Sequence, residues 1–218
     1  SQKSRLNQCM LKSVYSASLR NRFHSLSERQ TAVSGPLDRV VLIGGDIELR
    51  IVSLVVRCRE VADEVVLFDT GSTDETVQLA HEVNCRVVQF SDTVTPQKLA
   101  EAAVESGCVD GLSLFLPILP QWKLSELPLS VNRAREGWDI HYLYRRVGDH
   151  GSHDSVVLSQ SVVGHLITSK EGMHQLANLP DGATSDDVSQ DVRARFVETD
   201  APIQLPQRQS LATASRFA

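Results

Sequence analysis

Asp69 ends a short apolar run and is followed directly by Thr70, Gly71 and Ser72. The apolar run predicts a buried strand, and a carboxylate at the carboxyl end of a parallel strand lies on the edge where open α/β sheets bind ligands. Such a carboxylate can accept hydrogen bonds from a nucleoside. Gly71 suits a tight turn, and Ser72 followed three residues later by Glu75 predicts a capping box at the start of a helix.

Histidines provide a second set of candidate residues. His150 and His153 lie with two carboxylates in residues 149–154, and imidazole and carboxylate groups both bind transition metals. We weigh this weak metal site against a solvated polar hairpin loop, and favour the loop because ligand chemistry alone supports the metal. His141 and His165 occur singly in the sequence and are interpreted as packed or surface histidines.

Strands and helices alternate in the part of the chain that positions Asp69. The predicted strands are residues 39–43, 65–68, 86–90 and 112–116, and the predicted helices are residues 48–60, 73–83 and 96–106. This alternation predicts an α/β domain with a mostly parallel sheet flanked by helices. The first of these strands runs into Gly44 and Gly45.

The order of elements changes after Pro120. The predicted strands there are residues 140–146, 155–163 and 164–168, and the predicted helices are residues 170–178 and 186–196. Residues 200–218 contain Pro202 and Pro206, and we expect them to form an irregular tail.

The first 36 residues are predicted to form a helical arm. Residues 1–30 contain six basic residues and one acidic residue, and their apolar residues recur at the period of an amphipathic helix. A Ser-Gly-Pro break ends the arm, so the predicted domains are the arm 1–36, an α/β domain 37–199 and the tail. We favour an arm docked on the protein's own core over one that binds a protein partner, a second copy or a membrane surface.

Composition excludes several classes of protein. The chain has 218 residues and a formal net charge of −5, which argues against a general electrostatic grip on nucleic acid. No apolar stretch approaches the roughly 20 residues that span a bilayer. The four cysteines form no CxxC pair, which favours a reducing compartment. We therefore expect a cytoplasmic protein, with peripheral attachment to a membrane or a larger assembly as the alternative.

The segment 64–90, EVVLFDTGSTDETVQLAHEVNCRVVQF, resembles the family-2 glycosyltransferases. Their nucleotide-binding half has the GT-A fold, and its second strand ends in a motif like DxGSTDxT. The resemblance implies a GT-A-like fold, a nucleotide-sugar ligand, and a nucleotide site at Gly44 and residues 69–72. A second, weaker resemblance at residues 184–193 is to the family's acidic motif, in which Asp187, or else Asp186, would be the base that activates the acceptor hydroxyl.

The chain departs from the family at the cation site. The family holds a divalent cation with a DxD motif immediately after the fourth strand, and here residues 116–120 read Leu-Pro-Ile-Leu-Pro. Neither Pro117 nor Leu119 offers the oxygen ligand that Mg²⁺ or Mn²⁺ requires, so we expect no metal cofactor. The family's Pro-x-Tyr-Asn-Glu-like loop after the first strand is replaced by residues 44–48, of which only the acidic end is retained.

Two functional hypotheses follow from this resemblance and from the missing cation motif. In the first, metal-dependent transfer has been lost, and the domain is a nucleotide- or partner-binding, regulatory or assembly module. In the second, it is a metal-independent glycosyltransferase that stabilises the leaving diphosphate with Arg or Lys and uses Asp187 as base. Losing a single preorganised electrostatic contact costs roughly 3 to 4 kcal/mol of transition-state stabilisation. Because the whole cation motif is missing, we favour the first hypothesis.

Overall fold

A computed structural model describes residues 37–118, 127–134, 136–146 and 155–199. The predicted arm, the predicted tail and the predicted loop with His150 and His153 lie outside these residues, so they remain predictions. Within the described residues, no helix is long and apolar enough to cross a bilayer.

Seven strands of the described residues form one mixed sheet. They are β1 Leu37–Gly44, β2 Ala62–Asp69, β3 Arg86–Gln89, β4 Ser113–Pro117, β5 Ile140–Arg146, β6 Ser161–Thr168 and β7 Ala194–Glu198. The order across the sheet is β3-β2-β1-β4-β6-β5-β7, and each neighbouring pair is parallel except the two pairs that contain β6. The mostly parallel sheet predicted from the sequence is confirmed.

Helices cover both faces of this sheet. The α-helices among the described residues are α1 Ile51–Cys58, α2 Thr76–Glu82, α3 Pro96–Glu105, α4 Leu127–Ala134 and α5 Lys170–Ala177. Strand β1 is buried on both faces, with Val41 and Ile43 in one hydrophobic cluster and Val40 and Leu42 in the other. Helix α3 belongs to the first cluster and α1 to the second, as expected for crossover helices on a parallel sheet. The predicted α/β class is therefore confirmed.

The segment before β6 differs from its prediction. Residues 155–163 were expected to form a strand, but a 3₁₀ turn, Leu158–Gln160, lies within them. The backbone N–H of Leu158 donates to the carbonyl of Ala183 at 3.0 Å, so this segment binds a distant loop instead of a neighbouring strand. Strand β6 begins only after the turn and includes the whole of the predicted strand 164–168.

The segment that contains β7 also differs from its prediction. Residues 186–196 were expected to form a helix, but they contain part of a 3₁₀ turn, Ser185–Asp187, and the first half of β7. Strand β7 pairs in parallel with β5, and the ring of Phe196 packs edge-on at 6.3 Å from that of Tyr142. These contacts are long-range, so a local helical period does not reveal them.

Candidate functional site

Strands β1, β2 and β4 end at the same edge of the sheet. In the two parallel registers, Gly44 of β1 lies opposite Asp69 of β2, and Ile43 of β1 lies opposite Pro117 of β4. Ligands of open α/β sheets bind outside the carboxyl ends of such strands. We call the region around Gly44, Asp69 and Pro117 the carboxyl edge; it brings together the predicted nucleotide site and the position of the family's cation motif.

Asp69 shapes the turn that follows it. Its side chain is buried, and the carboxylate accepts hydrogen bonds from the backbone N–H of Ser72 at 3.1 Å and from the Ser72 hydroxyl. Gly71 closes the turn with a φ of +102°, a conformation that favours glycine. The predicted capping box is wrong, because α2 begins at Thr76 and its N-cap residue, Glu75, makes no side-chain cap bond. Ser72 instead donates its hydrogen bonds to the carboxylate of Asp69.

Carboxylates of the loop after β1 bind the loop after β2. Asp46 accepts hydrogen bonds from the backbone N–H of Thr73 at 2.7 Å, from the Thr73 hydroxyl at 3.2 Å and from the backbone N–H of Asp74 at 3.3 Å. Glu48 accepts one from the backbone N–H of Glu75 at 3.2 Å. The amide groups that precede α2 have no partners within the helix, and side chains of the neighbouring loop satisfy them here.

Side chains of the loop after β2 also accept hydrogen bonds from the loop after β1. Asp74 accepts hydrogen bonds from the backbone N–H of Glu48 at 3.1 Å and of Thr76 at 2.9 Å, and Ser72 Oγ accepts one from the backbone N–H of Asp46 at 3.1 Å. Burial raises the pKa of Asp74, but the hydrogen bonds from Thr76 and Glu48 outweigh it and hold that pKa below its ordinary value. These roles of Asp46 and Glu48 were not predicted from the sequence. The available signal was a pair of acidic residues beside a loop whose amides need acceptors.

The two loops approach each other closely at Gly45. A Cβ placed on Gly45 would lie 3.1 Å from Thr70 Oγ1 and 3.4 Å from Ser72 Oγ. The first of these distances is shorter than an ordinary van der Waals contact, so Gly45 permits the approach by having no side chain. Thr70, a predicted nucleotide contact, is therefore packed against the first loop and remains half-buried.

The carboxyl end of β4 is apolar. Pro117 and Ile118 are buried, and the backbone N–H of Ile118 donates to the carbonyl of Ile43 at 2.8 Å, which extends the β1–β4 pairing beyond the strand. Neither side chain carries an oxygen that could bind a cation. Across the described ranges, no three or more His, Cys, Asp and Glu side chains are grouped so that they could hold a metal ion. Leu119 lies outside the described residues.

Asp187 lies in a capping box of its own. Its carboxylate accepts hydrogen bonds from the backbone N–H of Thr184 at 2.8 Å and from the Thr184 hydroxyl at 3.0 Å, and these bonds hold the pKa of Asp187 below its ordinary value. Thr184 forms a bridge with Val157. Asp186 is exposed beside it. No hydrogen bond between described residues connects Asp186 or Asp187 with Asp69.

His141 and His165 are packed histidines, as interpreted from the sequence, and they lie against each other, which the sequence did not predict. They occupy the neighbouring strands β5 and β6, with His165 Nε2 3.4 Å from His141 Nδ1 and the two rings stacked at 5.3 Å between centroids. Burial, and then the neighbouring His141 and Arg133, lower the pKa of His165 to about 4. Burial and then Arg195 lower the pKa of His141. The strand register that brings the two rings together is not encoded locally.

An open cavity of about 360 Å³ lies beside the carboxyl edge, where β3 ends next to β2. Its lining combines part of β3, the loop that follows and one side of α3: Val88, Gln89, Phe90, Ser91, Asp92, Ala102, Glu105 and Ser106. Two of these side chains are carboxylates and none is a lysine or an arginine. The cavity contains none of the predicted site residues.

Comparison with solved structures identifies GT-A-like glycosyl- and nucleotidyltransferases as similar folds. Glucosyl-3-phosphoglycerate synthase from Mycobacterium tuberculosis in complex with UDP is 21% identical, with a TM-score of 0.48, and covers 78% of this chain and 73% of its own. Mannosyl-3-phosphoglycerate synthase from Rubrobacter xylanophilus is 12% identical, with a TM-score of 0.46, and covers 74% of this chain. The present chain spans 65% of the length of that enzyme.

A nucleotidyltransferase is similar to about the same degree. The 4-diphosphocytidyl-2C-methyl-D-erythritol synthase from Anaerococcus prevotii DSM 20548 is 13% identical, with a TM-score of 0.46, and covers 76% of this chain and 90% of its own. No protein-family model and no curated protein sequence matches the chain. In its strand order, its mostly parallel pairing and its flanking helices, the chain has a GT-A-like α/β fold.

Proposed function

We propose that this chain is a glycosyltransferase-like domain that has lost metal-dependent sugar transfer and acts as a nucleotide- or partner-binding module. The observation that carries the proposal is the use of the carboxylates at the carboxyl edge. Asp46, Glu48 and Asp69 all accept hydrogen bonds from this chain's own loops, which joins the loops into one structural unit. Carboxylates engaged in this way position backbone rather than a cation or a sugar.

Electrostatics at the carboxyl edge support the loss of transfer. Sugar transfer from a nucleotide sugar releases a nucleoside diphosphate, whose developing negative charge requires a cation or preorganised donors. The side chains that follow β4 are apolar, and the cavity beside β3 is lined by Asp92 and Glu105 without a basic side chain. A diphosphate placed in this region would face carboxylates. A nucleoside contacting Gly44 and Thr70, or a protein surface, would meet no such repulsion.

The metal-independent transferase remains the alternative proposal. It is favoured by one observation, the exposed position of Asp187. The lowered pKa of this carboxylate counts against the alternative, because it makes Asp187 a weaker general base than an ordinary aspartate. Against it stands the capping box, since both hydrogen bonds to that carboxylate come from Thr184. A nucleotide-sugar ligand, partner binding or self-association through residues 1–30, and a cytoplasmic location belong to these proposals as well.

A thermal-shift experiment on the full chain separates the two proposals. UDP, GDP, CDP and dTDP sugars are each tested with Mn²⁺ and with EDTA, and release of nucleoside diphosphate is assayed in parallel. A ligand at a hundred times its Kd should stabilise the native state by about 2.7 kcal/mol. We expect no effect of Mn²⁺ and no released diphosphate. Release of diphosphate in the presence of EDTA would support the metal-independent transferase instead. Stabilisation that depends on Mn²⁺, together with turnover, would overturn both proposals.

A matched pair of variants locates any nucleotide that binds. Gly45→Val places a side chain between the two loops, so it should abolish a nucleotide-dependent shift if the base contacts Gly44 and Thr70. Gln78→Ala on the exposed face of α2 is the control and should leave the shift unchanged. An identical response of both variants would place the ligand elsewhere.

A further inference from the structure

Two arginines, Arg193 immediately before β7 and Arg195 within it, lie beside one tryptophan. Arg193 and Arg195 are two positions apart, so their side chains extend from the same face of the strand. The guanidinium carbons lie 5.2 Å and 5.8 Å from the ring centroid of Trp138, within the range of cation–π attraction. Arg133, at the end of α4, and Glu136 complete a group that we call the arginine–tryptophan surface.

Glu136 shows how this surface receives a carboxylate. Its two oxygens accept hydrogen bonds from Arg133 Nη1 at 2.8 Å, from Arg195 Nη1 at 3.0 Å and from Trp138 Nε1 at 3.2 Å. The hydrogen bonds from Arg133 and then from Trp138 are the largest causes of a lowered pKa of Glu136, so this position favours the ionised carboxylate.

The guanidinium N–H groups of Arg193 can donate to a ligand. Its guanidinium forms no ion pair with any carboxylate in the described part of the chain, and its exposed side chain lies over the indole. The backbone N–H of Arg193 donates to Asp139 Oδ2 at 3.0 Å. A carboxylate that binds here would meet a guanidinium already stacked on the indole, which lowers the entropic cost of ordering the side chain.

This surface is separate from the candidate nucleotide site. Ala194 pairs with Ile140 at the amino ends of β7 and β5, and both strands run parallel to β4 and β1. The arginine–tryptophan surface therefore lies at the amino ends of the parallel strands, whereas Asp69 lies at their carboxyl ends. In the strand order, β7 is the terminal strand of the described sheet.

We propose that the arginine–tryptophan surface binds an acidic segment of a partner protein, with one carboxylate on Arg193 and an apolar neighbour against Trp138. A guanidinium binds a carboxylate bidentately, and an indole provides apolar contact area at low entropic cost. Arg133 and Arg195 are paired with Glu136, so this surface offers Arg193 to one carboxylate of the partner. The surface does not match a nucleic acid, which needs a broad basic surface, whereas this chain carries a net charge of −5.

The test titrates the ¹⁵N-labelled full chain with the acetylated and amidated peptide Glu-Glu-Leu-Glu-Glu and follows the indole N–H of Trp138 and the Nε–H of Arg193. We expect saturable shifts of both signals and at least a fivefold weaker Kd for Arg193→Ala. Arg57→Ala is the matched control, since it removes an exposed arginine paired with Glu60 on α1 and changes the net charge equally. It should retain the affinity of the unaltered chain.

A charge reversal keeps the proposal falsifiable if the alanine variant is unstable. The double variant Arg193→Glu/Arg195→Glu should lose binding of the acidic peptide and bind Lys-Lys-Leu-Lys-Lys instead. Three outcomes would overturn the proposal: no shift at Trp138, an equal loss of affinity in Arg57→Ala, or tighter binding of a single-stranded oligonucleotide than of the peptide at the same signals.

Discussion

The carboxylate of Asp46 lies 2.7 Å from the backbone nitrogen of Thr73 and so joins two loops that are 27 residues apart in the sequence. Asp46 has a φ of +52°, in the left-handed region that Asn and Asp tolerate better than most residues. The backbone conformation and the side chain of Asp46 therefore both help to join the two loops. The first loop turns sharply enough to present a carboxylate to the amides that precede α2.

Replacing Asp46 tests whether this contact is structural. Asp46→Ala removes the acceptor of three hydrogen bonds and places alanine at a positive φ, so we expect the free energy of unfolding to fall by about 2 kcal/mol. Asp46→Asn keeps one acceptor oxygen and tolerates the same φ, and it should lose less. Urea unfolding of both variants measures the difference. If Asp46→Ala unfolds at the urea concentration of the unaltered chain, the loops are held together by other contacts.

The roles of Thr184 and Asp187 can be separated by a double-mutant cycle. If Asp187 serves its capping box, Thr184→Ala and Asp187→Asn should each lower stability, and the double variant should lose little more than either single one. If Asp187 is a catalytic base, Asp187→Asn should abolish sugar transfer while Thr184→Ala preserves it. Thermal unfolding measures the first pattern and a transfer assay measures the second. Additive losses of stability would contradict the capping role.

Sequence patterns predicted the first half of the fold because its information is local. Strands β1 to β4 are apolar runs, and α1 to α3 lie between them at the expected period, so the parallel sheet followed directly. From that alternation came the correct placement of Asp69 at the end of β2. The pairing of β5, β6 and β7 was not predictable in this way, because it depends on contacts between residues far apart in the chain.

The candidate site shows the same limit. The Ser-x-x-Glu spacing after Gly71 suggested a capping box, but Ser72 found a nearer partner in Asp69 and the helix began later. A box formed instead at Thr184, where the sequence had suggested a catalytic base. In the sequence, nothing distinguishes Asp46 and Glu48 from other acidic residues. Their role depends on the backbone N–H groups of the loop after β2, which lie within hydrogen-bond distance only in the folded chain. Local spacing identifies residues that can form a side-chain hydrogen bond. Which of these bonds form depends on contacts between residues far apart in the sequence.

Acidification should destabilise the protein through the packed pair of His141 and His165. The unfolded chain binds a proton on His165 near pH 6.5, whereas burial lowers the folded-state pKa to about 4. Between these values the unfolded state binds more protons, so stability falls as the pH decreases through this window. The loss approaches roughly 3 kcal/mol when the window has been crossed.

The pH dependence of variants isolates this contribution from that of the carboxylates. His165→Asn removes the titrating group and should flatten the decrease in urea midpoint between pH 6.5 and pH 4.5, whatever its effect on stability at neutral pH. His174→Asn, which alters an exposed histidine on α5, is the control and should keep the slope of the unaltered chain. Equal slopes in all three proteins would show that the packed pair does not govern acid stability.

Introducing the acidic motif of the family-2 glycosyltransferases after β4 tests the proposed loss of metal-dependent transfer. Pro117→Asp/Leu119→Asp supplies two carboxylates after β4, but position 117 is buried beside Ile43, and a buried carboxylate without a partner costs on the order of several kcal/mol. We expect the variant to be less stable than Pro117→Ala/Leu119→Ala and to show no stabilisation by Mn²⁺ with UDP. Thermal shifts of both variants, with Mn²⁺ or EDTA, measure this. A Mn²⁺-dependent increase in the melting temperature of the aspartate variant alone would show that the cleft has kept its nucleotide geometry and has lost only its cation ligands.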